Sequence, residues 1–190
     1  MKEQLQKDFE NTIRNLSLSQ KDIEIKKFSL DNFINKGFPN RREEDWKFSD
    51  LNQIINKNIG ELSFYNDYTS TNKVDTSVFV DGLEHNKIVF INGRIEKIDF
   101  DYEKKGQIEI IDQSETINKF DNDNSLSDLN NAFTNKSFKI VIKKGYQISK
   151  PLIIYHTTNS KIWSKNINLK LDFELQEDSS LRLIDLFNDT

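Results

Sequence analysis

Histidines come first among the residues that could do chemistry, because two of them at helical spacing commonly hold a metal ion. The sequence has two, His85 and His156, and neither has a second histidine near it. The surroundings of His85 predict an exposed turn, and His156 follows an apolar run that predicts a strand end. We interpret both as ordinary surface histidines, so the sequence predicts no metal ligand.

Two carboxylates, Glu174 and Glu177, could form the acid and base pair of a glycoside hydrolase. The alternation of apolar and polar residues already explains Glu174, which falls on the polar side of a predicted strand. A carbohydrate-active enzyme is therefore the third of three functional hypotheses. It predicts that the substitution Glu174→Gln abolishes hydrolysis.

A calcium loop is imitated by Asp121, Asp123 and Ser125, which have the spacing of the first ligands of such a loop. The sixth position should be glycine and is Leu126, and the twelfth should be glutamate and is Ala132. Both the sharp turn and the bidentate carboxylate are missing. The stretch is interpreted as a solvated linker, and no catalytic or cofactor-binding residue is predicted in it.

Cysteine is absent, which excludes disulfides, thiolate nucleophiles and clusters held by this chain's own sulfur atoms. The six glycines all lie more than ten residues apart, so they cannot form the glycine-rich loops that bind nucleotide phosphates. Nucleotide hydrolysis by this chain is therefore not expected.

Charge is distributed unevenly over a chain with a net charge of −4. Residues 61–130 carry 7 basic and 15 acidic side chains, and no basic stripe suits a nucleic-acid groove. No apolar run is long enough to span a membrane, and the first residues are charged where a secretory signal would be apolar. We therefore expect a cytoplasmic protein without nucleic-acid or membrane partners.

The first region, residues 1–60, has the apolar period of helices. Three helices are predicted: four turns along Leu5, Phe9, Ile13 and Leu16; Leu30 to Lys36, capped by Ser29 and ended by Gly37; and a third from Ser49 to about Gly60. Residues 61–124 are predicted to be a mixed β segment followed by an acidic connector. Its strands are expected at Val78 to Val80, Lys87 to Ile91 and Gln107 to Ile111.

The third region, residues 125–190, begins with a short helix after Ser125 and continues with the most regular strand pattern in the chain. Strand starts are predicted near Phe138, Leu152, Ile167 and Leu181. Their nearly constant spacing favours a solenoid, in which similar strands recur at similar intervals. An antiparallel meander or β-sandwich is the alternative that the spacing leaves open.

The densest local signal is the string GFPNRREEDWKFSDL, residues 37–51. Five consecutive charged residues before Trp46 are consistent with a binding site. On energetic grounds we favour a solvated turn, in which Arg41 and Arg42 offset the acidic residues while Trp46 and Phe48 anchor the turn to the core.

As a family marker this string resembles the N-terminal signature of the SufD-type subunit of the SUF iron-sulfur cluster assembly scaffold, in the SufB/SufD family. Three further segments follow in the family's order: VFINGR at 89–94, LNNAF at 129–133, and 144–155 from Lys-Gly to Pro-Leu-Ile-Ile-Tyr. The motif residues, predicted to have structural roles, are Gly37, Pro39, Arg41, Arg42, Glu44, Trp46, Lys47, Gly93, Asn130, Phe133, Gly145 and Pro151.

The resemblance implies a mainly β fold with a helical N-terminal region and the start of a right-handed parallel β-helix. Because family members are longer, the chain is expected to be their N-terminal portion, apparently truncated. The implied function is that of a non-enzymatic scaffold subunit, acting with a SufB-type partner and the SufC-type ATPase. No cofactor is expected on this chain alone, and an iron-sulfur cluster only in the complete complex.

A second hypothesis comes from the charge distribution rather than from the resemblance. A stand-alone β-rich adaptor could use the acidic middle third of the chain to recruit a basic partner. That hypothesis predicts binding that weakens as the salt concentration rises.

Overall fold

A computed structural model describes residues 2–14, 16, 18–58, 62–65, 73–113, 124–159, 162 and 165–189. The chain forms two compact units, each built from three stretches of sequence. Unit 1 comprises Met1–Asn66, Gln113–Asn135 and Ser164–Lys170; unit 2 comprises Asp67–Asp112, Lys136–Trp163 and Leu171–Thr190.

The α-helices of the described residues belong to unit 1. They are α1 (Lys2–Arg14), α2 (Gln20–Lys36), α3 (Leu51–Asn58) and α4 (Ser125–Phe133). The apolar stripe that predicted α1 is confirmed, with Leu5 and Phe9 buried. Helix α3 begins at Leu51, two residues after the predicted start at Ser49, and Gly60, its predicted end, lies outside the described residues.

Helix α2 ends as predicted but begins about ten residues earlier. Its N-cap is Ser19, whose hydroxyl accepts a hydrogen bond from the Asp22 N–H at 3.2 Å. The predicted cap, Ser29, is instead a buried residue inside the helix. The early turns were missed because this helix also buries a lysine, Lys26, which interrupts the apolar pattern.

Helix α4 is capped by Asn124, whose side-chain oxygen accepts a hydrogen bond from the Leu126 N–H at 2.9 Å. The predicted cap, Ser125, is the first helical residue. The helix buries Phe133 against two other aromatic rings: Phe64 stacks on it at 3.6 Å between ring centroids, and Phe9 meets it edge-on at 6.1 Å. These rings form the centre of the core of unit 1.

Two small sheets contain the strands of the described residues. The strands are β1 (Asn86–Ile91), β2 (Arg94–Asp99), β3 (Ile108–Asp112), β4 (Lys136–Ile142), β5 (Leu152–Thr158), β6 (Leu169–Leu175) and β7 (Leu183–Asp189). One sheet has the order β2-β1-β5-β7 and the other β3-β4-β6. In the first, β1 is antiparallel to β2 and parallel to β5, which is parallel to β7; in the second, β3 is antiparallel to β4.

The predicted fold class, a mainly β chain beginning a right-handed parallel β-helix, is wrong. The structure is a mixed α/β fold with small mixed sheets, and no solenoid is evident in the part of the chain that the structure describes. The four strands that were predicted to follow one another as rungs are divided, with β4 and β6 in one sheet and β5 and β7 in the other. Even spacing reports strand length and turn length, but not which strands pair.

Two smaller predictions also changed. The run from Val78 to Val80 is not a strand, because Thr76–Val78 is a short 3-10 helix capped by the Asp75 carboxylate. The alternation that placed Glu174 on the polar side of a predicted strand does not give β6 one buried and one exposed face, since its residues are half-buried up to the exposed Leu175. The calcium-like residues Asp121 and Asp123 lie outside the described residues.

None of the helices placed by the structure combines the length and apolar character needed to cross a membrane.

Candidate protein-binding surface

We call residues 37–48 the signature segment, and its first residues are firmly anchored. Gly37 has φ +73°, a conformation that favours glycine, and its N–H donates to the Phe33 carbonyl at 2.7 Å to end α2. Phe38 is buried, with its ring centroid 5.0 Å from that of Phe33, and Pro39 is buried beside it. These contacts fix the backbone at the point where the signature segment leaves the core of unit 1.

The charged part of the signature segment is an ordered surface turn. The side-chain oxygen of Asn40 accepts a hydrogen bond from the Arg42 N–H at 3.0 Å, and the Asn40 N–H donates to the Glu43 carboxylate at 3.2 Å. The 3-10 helix Glu44–Trp46 follows. The turn is thus organised by its own side chains.

The distal end of the signature segment is exposed. Phe48 is 93% exposed, so the prediction that it anchors the turn to the core is wrong, while Trp46 is half-buried. Arg41 and Arg42 are also exposed. Arginine and tryptophan are among the residue types that dominate protein–protein binding energy, and aromatic residues in general are enriched in interfaces. The composition of this surface therefore suits a protein partner.

Two further motif residues sit at chain reversals. Asn92 and Gly93, at φ +51° and +79°, form the tight turn between β1 and β2. The Asn92 side-chain amide donates to the Asn159 side-chain oxygen at 2.9 Å, while the Asn159 N–H donates back at 3.1 Å. Gly145, at φ +70°, donates its N–H to the Glu177 carbonyl at 2.8 Å.

The remaining motif residues hold neighbouring backbone or core. The Asn130 side chain donates to the Leu169 carbonyl at 3.2 Å, and the Pro151 carbonyl accepts from the Asn86 N–H at 2.8 Å. Phe133 is the core residue described above. The structure does not gather the motif residues into one site; only the signature segment brings several of them together, namely Gly37, Pro39, Arg41, Arg42, Glu44, Trp46 and Lys47.

His85 is buried, contrary to the prediction of an exposed turn. Its Nδ1 lies 2.5 Å from the Leu83 carbonyl oxygen and its Nε2 lies 2.7 Å from the Tyr155 hydroxyl. Since a carbonyl only accepts, Nδ1 carries the proton and Nε2 accepts from Tyr155, whose oxygen in turn accepts from the Val80 N–H at 3.0 Å. Its partner is distant in sequence, so no local pattern could show this burial.

The glutamates of the glycosidase hypothesis are each held by a lysine. Glu174 pairs with Lys139 and Glu177 pairs with Lys144. The hydrogen bond from Lys139, followed by one from Gln176, lowers the pKa of Glu174. A general acid needs a raised pKa, so Glu174 is poorly suited to that role.

Lysines pair with several carboxylates of the acidic middle third within unit 2. Lys150 pairs with Glu84 at 2.6 Å, and Lys143 pairs with Glu109 at 2.5 Å. Asp99 is shared by Lys87 and Lys97. These carboxylates are already compensated within the chain, which weakens the case for an acidic surface that recruits a basic partner.

Glu103 accepts hydrogen bonds from several segments of the chain, a role that the sequence did not reveal. Its carboxylate accepts from the Asn86 side chain and the Tyr146 hydroxyl, each at 2.7 Å, and from the backbone N–H groups of Ser149 and Lys150, each at 3.1 Å. Burial would raise the pKa of Glu103, but hydrogen bonds from Tyr146, Asn86 and the backbone lower it to about 2. The ionised carboxylate thus pins the loop that leads into β5.

We expect Glu103→Gln to destabilise the protein by about 1–2 kcal/mol at pH 7, a value reduced from the pKa shift because the carboxylate is largely solvated. The folded pKa lies below the ordinary 4.5, so this stability is present above pH 4.5 and lost as the pH falls towards 2. Urea unfolding between pH 3 and 7 should show the two proteins converging in acid. Glu109→Gln, which removes only a surface ion pair, is the matched control and should change stability by less than about 1 kcal/mol.

Lys26 is the other polar group that the sequence did not reveal. It is 1% exposed, and its Nζ donates to the carbonyls of Asn131, Ala132 and Thr134 at 3.1, 3.5 and 2.5 Å. Those carbonyls lie at the C-terminal end of α4, so the ammonium caps that helix. Burial lowers the pKa of Lys26 to about 8, while Asp22 opposes the shift.

Two observations on the described residues concern small-molecule and metal binding. They contain no group of three or more His, Cys, Asp or Glu side chains that could hold a metal ion. A cavity of about 130 Å³ has Val78, Val89 and Ile91 among its lining residues. That volume is below the ~300 Å³ at which typical ligand pockets begin.

Comparison with known proteins does not assign the chain to a family. No protein-family model matches the chain, and no curated protein matches it significantly. The similarity to SufD-type subunits therefore remains a prediction from the residues of this sequence.

Proposed function

We propose that this chain is a cytoplasmic scaffold subunit for iron-sulfur cluster assembly, acting in a complex with a SufB-type subunit and the SufC-type ATPase. The proposal rests on the ordered motifs that resemble the SufD-type family. In it, the cluster is the cargo of the complete complex, and this chain contributes binding surface rather than catalysis.

The observation that carries the proposal is the exposure of the signature segment. Its first residues are fixed by the α2 cap and by buried Phe38, whereas Arg41, Arg42 and Phe48 face solvent. A prearranged surface loses less conformational entropy on binding than a disordered one. The most family-like string in the sequence is thus also one suited to contact a partner.

Anaerobic pull-down of this chain with the SufB-type subunit and the ATPase of the same organism tests the proposal. We expect the three proteins to be recovered together. Either Phe48→Ala or the double change Arg41→Ala, Arg42→Ala should reduce recovery at least tenfold, which corresponds to a loss of about 1.4 kcal/mol of binding free energy. Phe28→Ala, which alters a 47% exposed residue of α2, is the matched control and should retain binding. Failure of the unaltered chain to bind either protein would count against the proposal.

A further inference from the structure

An aromatic stack crosses three neighbouring strands of the first sheet, with a histidine at its centre. The parallel register places Phe90 of β1, His156 of β5 and Phe187 of β7 directly beside one another. The His156 ring lies 5.3 Å from Phe90 with planes 7° apart, and 4.5 Å from Phe187 with planes 8° apart. His156, which the sequence placed at a strand end, therefore lies inside β5 between two phenyl rings.

The charged neighbour of this imidazole comes from β7. Asp185 Oδ1 lies 2.8 Å from His156 Nε2, and their side chains are 48% and 17% exposed. Burial lowers the pKa of His156, and Asp185 opposes the shift. The other element packed on the ring, β1, presents uncharged Phe90, so Asp185 is the charged group acting on His156 among the residues that the structure describes.

Strand β7 is at the end of its sheet and is paired there with β5. Several of its apolar side chains are exposed: Leu183 at 42%, Ile184 at 38% and Phe187 at 74%. Leu186 of β7 packs against the buried cluster that contains Ile153 and Tyr155, and the contacts of Phe187 and Asp185 with His156 add to what holds the side chains of this strand.

We propose that His156 is a pH-sensitive latch for β7: the neutral ring, stacked between Phe90 and Phe187, holds the strand, and protonation loosens it. An imidazolium at this position loses hydration on both ring faces. The interaction that offsets this loss is with the Asp185 carboxylate, which is itself about half exposed to solvent. In an opened strand the same group is fully hydrated. Acid therefore favours opening.

The direction of the pH effect follows from the positions of the two pKa values. The folded pKa of His156 lies below its ordinary 6.5, so the neutral ring's contribution is complete above pH 6.5 and is lost as the pH falls through the folded value. For each pH unit by which the folded pKa of His156 lies below 6.5, the equilibrium constant for opening of β7 in acid rises about tenfold.

Nuclear magnetic resonance can test the latch directly, because the chain has only two histidines to assign. We expect the His156 ring signals to titrate below pH 6.5, and the protection factors of the β7 amides to fall by up to about tenfold between pH 7.5 and 5.5. In His156→Phe, which keeps a flat ring in the stack, protection of β7 should not change over this range. Asp185→Asn should lower the His156 pKa further.

Two results would overturn the latch. One is a His156 pKa at or above 6.5 in the unaltered protein, which would mean that Asp185 and the ring faces outweigh burial. The other is the same acid-dependent loss of β7 protection in His156→Phe as in the unaltered protein. If His156→Phe does not fold, the Asp185→Asn titration decides: an unchanged or raised His156 pKa contradicts the proposal.

Discussion

Lys26→Ala is expected to lower the free energy of unfolding of unit 1 by about 3–5 kcal/mol at pH 7. The substitution removes the ammonium that donates to three backbone carbonyls and also removes a fully buried aliphatic stem. Leaving buried polar groups without a donor costs about 1–3 kcal/mol, and the cavity adds to that loss. Urea unfolding followed by helical circular dichroism measures the change, because the described α-helices belong to unit 1.

Two variants separate the causes of the Lys26 effect. Lys26→Met keeps the stem and removes the donor, so it should lose roughly half as much because it leaves no large cavity. Lys27→Ala alters the exposed neighbour and should stay within about 0.5 kcal/mol of the unaltered protein. Equal losses for Lys26→Ala and Lys27→Ala would contradict the buried-cap interpretation.

The stability of the unaltered protein should also rise with pH on the alkaline side. Between pH 8 and 10.5 the unfolded chain holds a proton on Lys26 that the folded chain has released, so stability increases by about 3 kcal/mol over that interval. Lys26→Met lacks the titrating group and should lack this increase. Parallel stability profiles for the two proteins from pH 7 to 10.5 would argue against a depressed Lys26 pKa.

Phe133→Ala is expected to cost about 3–5 kcal/mol, the usual range for removing a buried phenylalanine. Its ring is 1% exposed, stacks on Phe64 and contacts Phe9 edge-on, so the alanine leaves a cavity in the core of unit 1. Thermal and urea unfolding both report this loss.

Phe48→Ala is the matched control for Phe133→Ala, since it changes the same residue type at a position 93% exposed to solvent. We expect it to alter stability by no more than about 0.5 kcal/mol. A large loss in Phe48→Ala, or a small one in Phe133→Ala, would contradict the assignment of one residue to the surface and the other to the core.

Local periodicity was enough to predict several elements. The step of three to four residues through Leu5 and Phe9 identified α1, and Gly37 marked the end of α2. The run from Lys87 to Ile91 became β1. In each case neighbours in sequence decide the structure.

Pairing between distant segments could not be predicted in this way. The even spacing of the later strands was interpreted as a solenoid, but which sheet each strand joins depends on contacts far along the chain. The burial of His85 depends on Tyr155, and that of Lys26 on the end of α4. Nothing local distinguishes Lys26 from Lys27, although one is buried and the other exposed.

The candidate surface was only partly foreseen. The string from Gly37 to Phe48 stood out by composition, yet the exposure of Phe48 contradicted the anchoring role that its apolar ring had indicated. A phenylalanine is buried by default because of its transfer free energy, and an exception depends on the local path of the backbone.

Native mass spectrometry of an anaerobic mixture of this chain, the SufB-type subunit and the SufC-type ATPase tests the central proposal most directly. The proposal predicts an assembly heavier by 22.4 kDa than the one formed by the two partners alone, and its loss in Phe48→Ala. A chain that stays at 22.4 kDa while the other two proteins assemble without it would contradict a scaffold function.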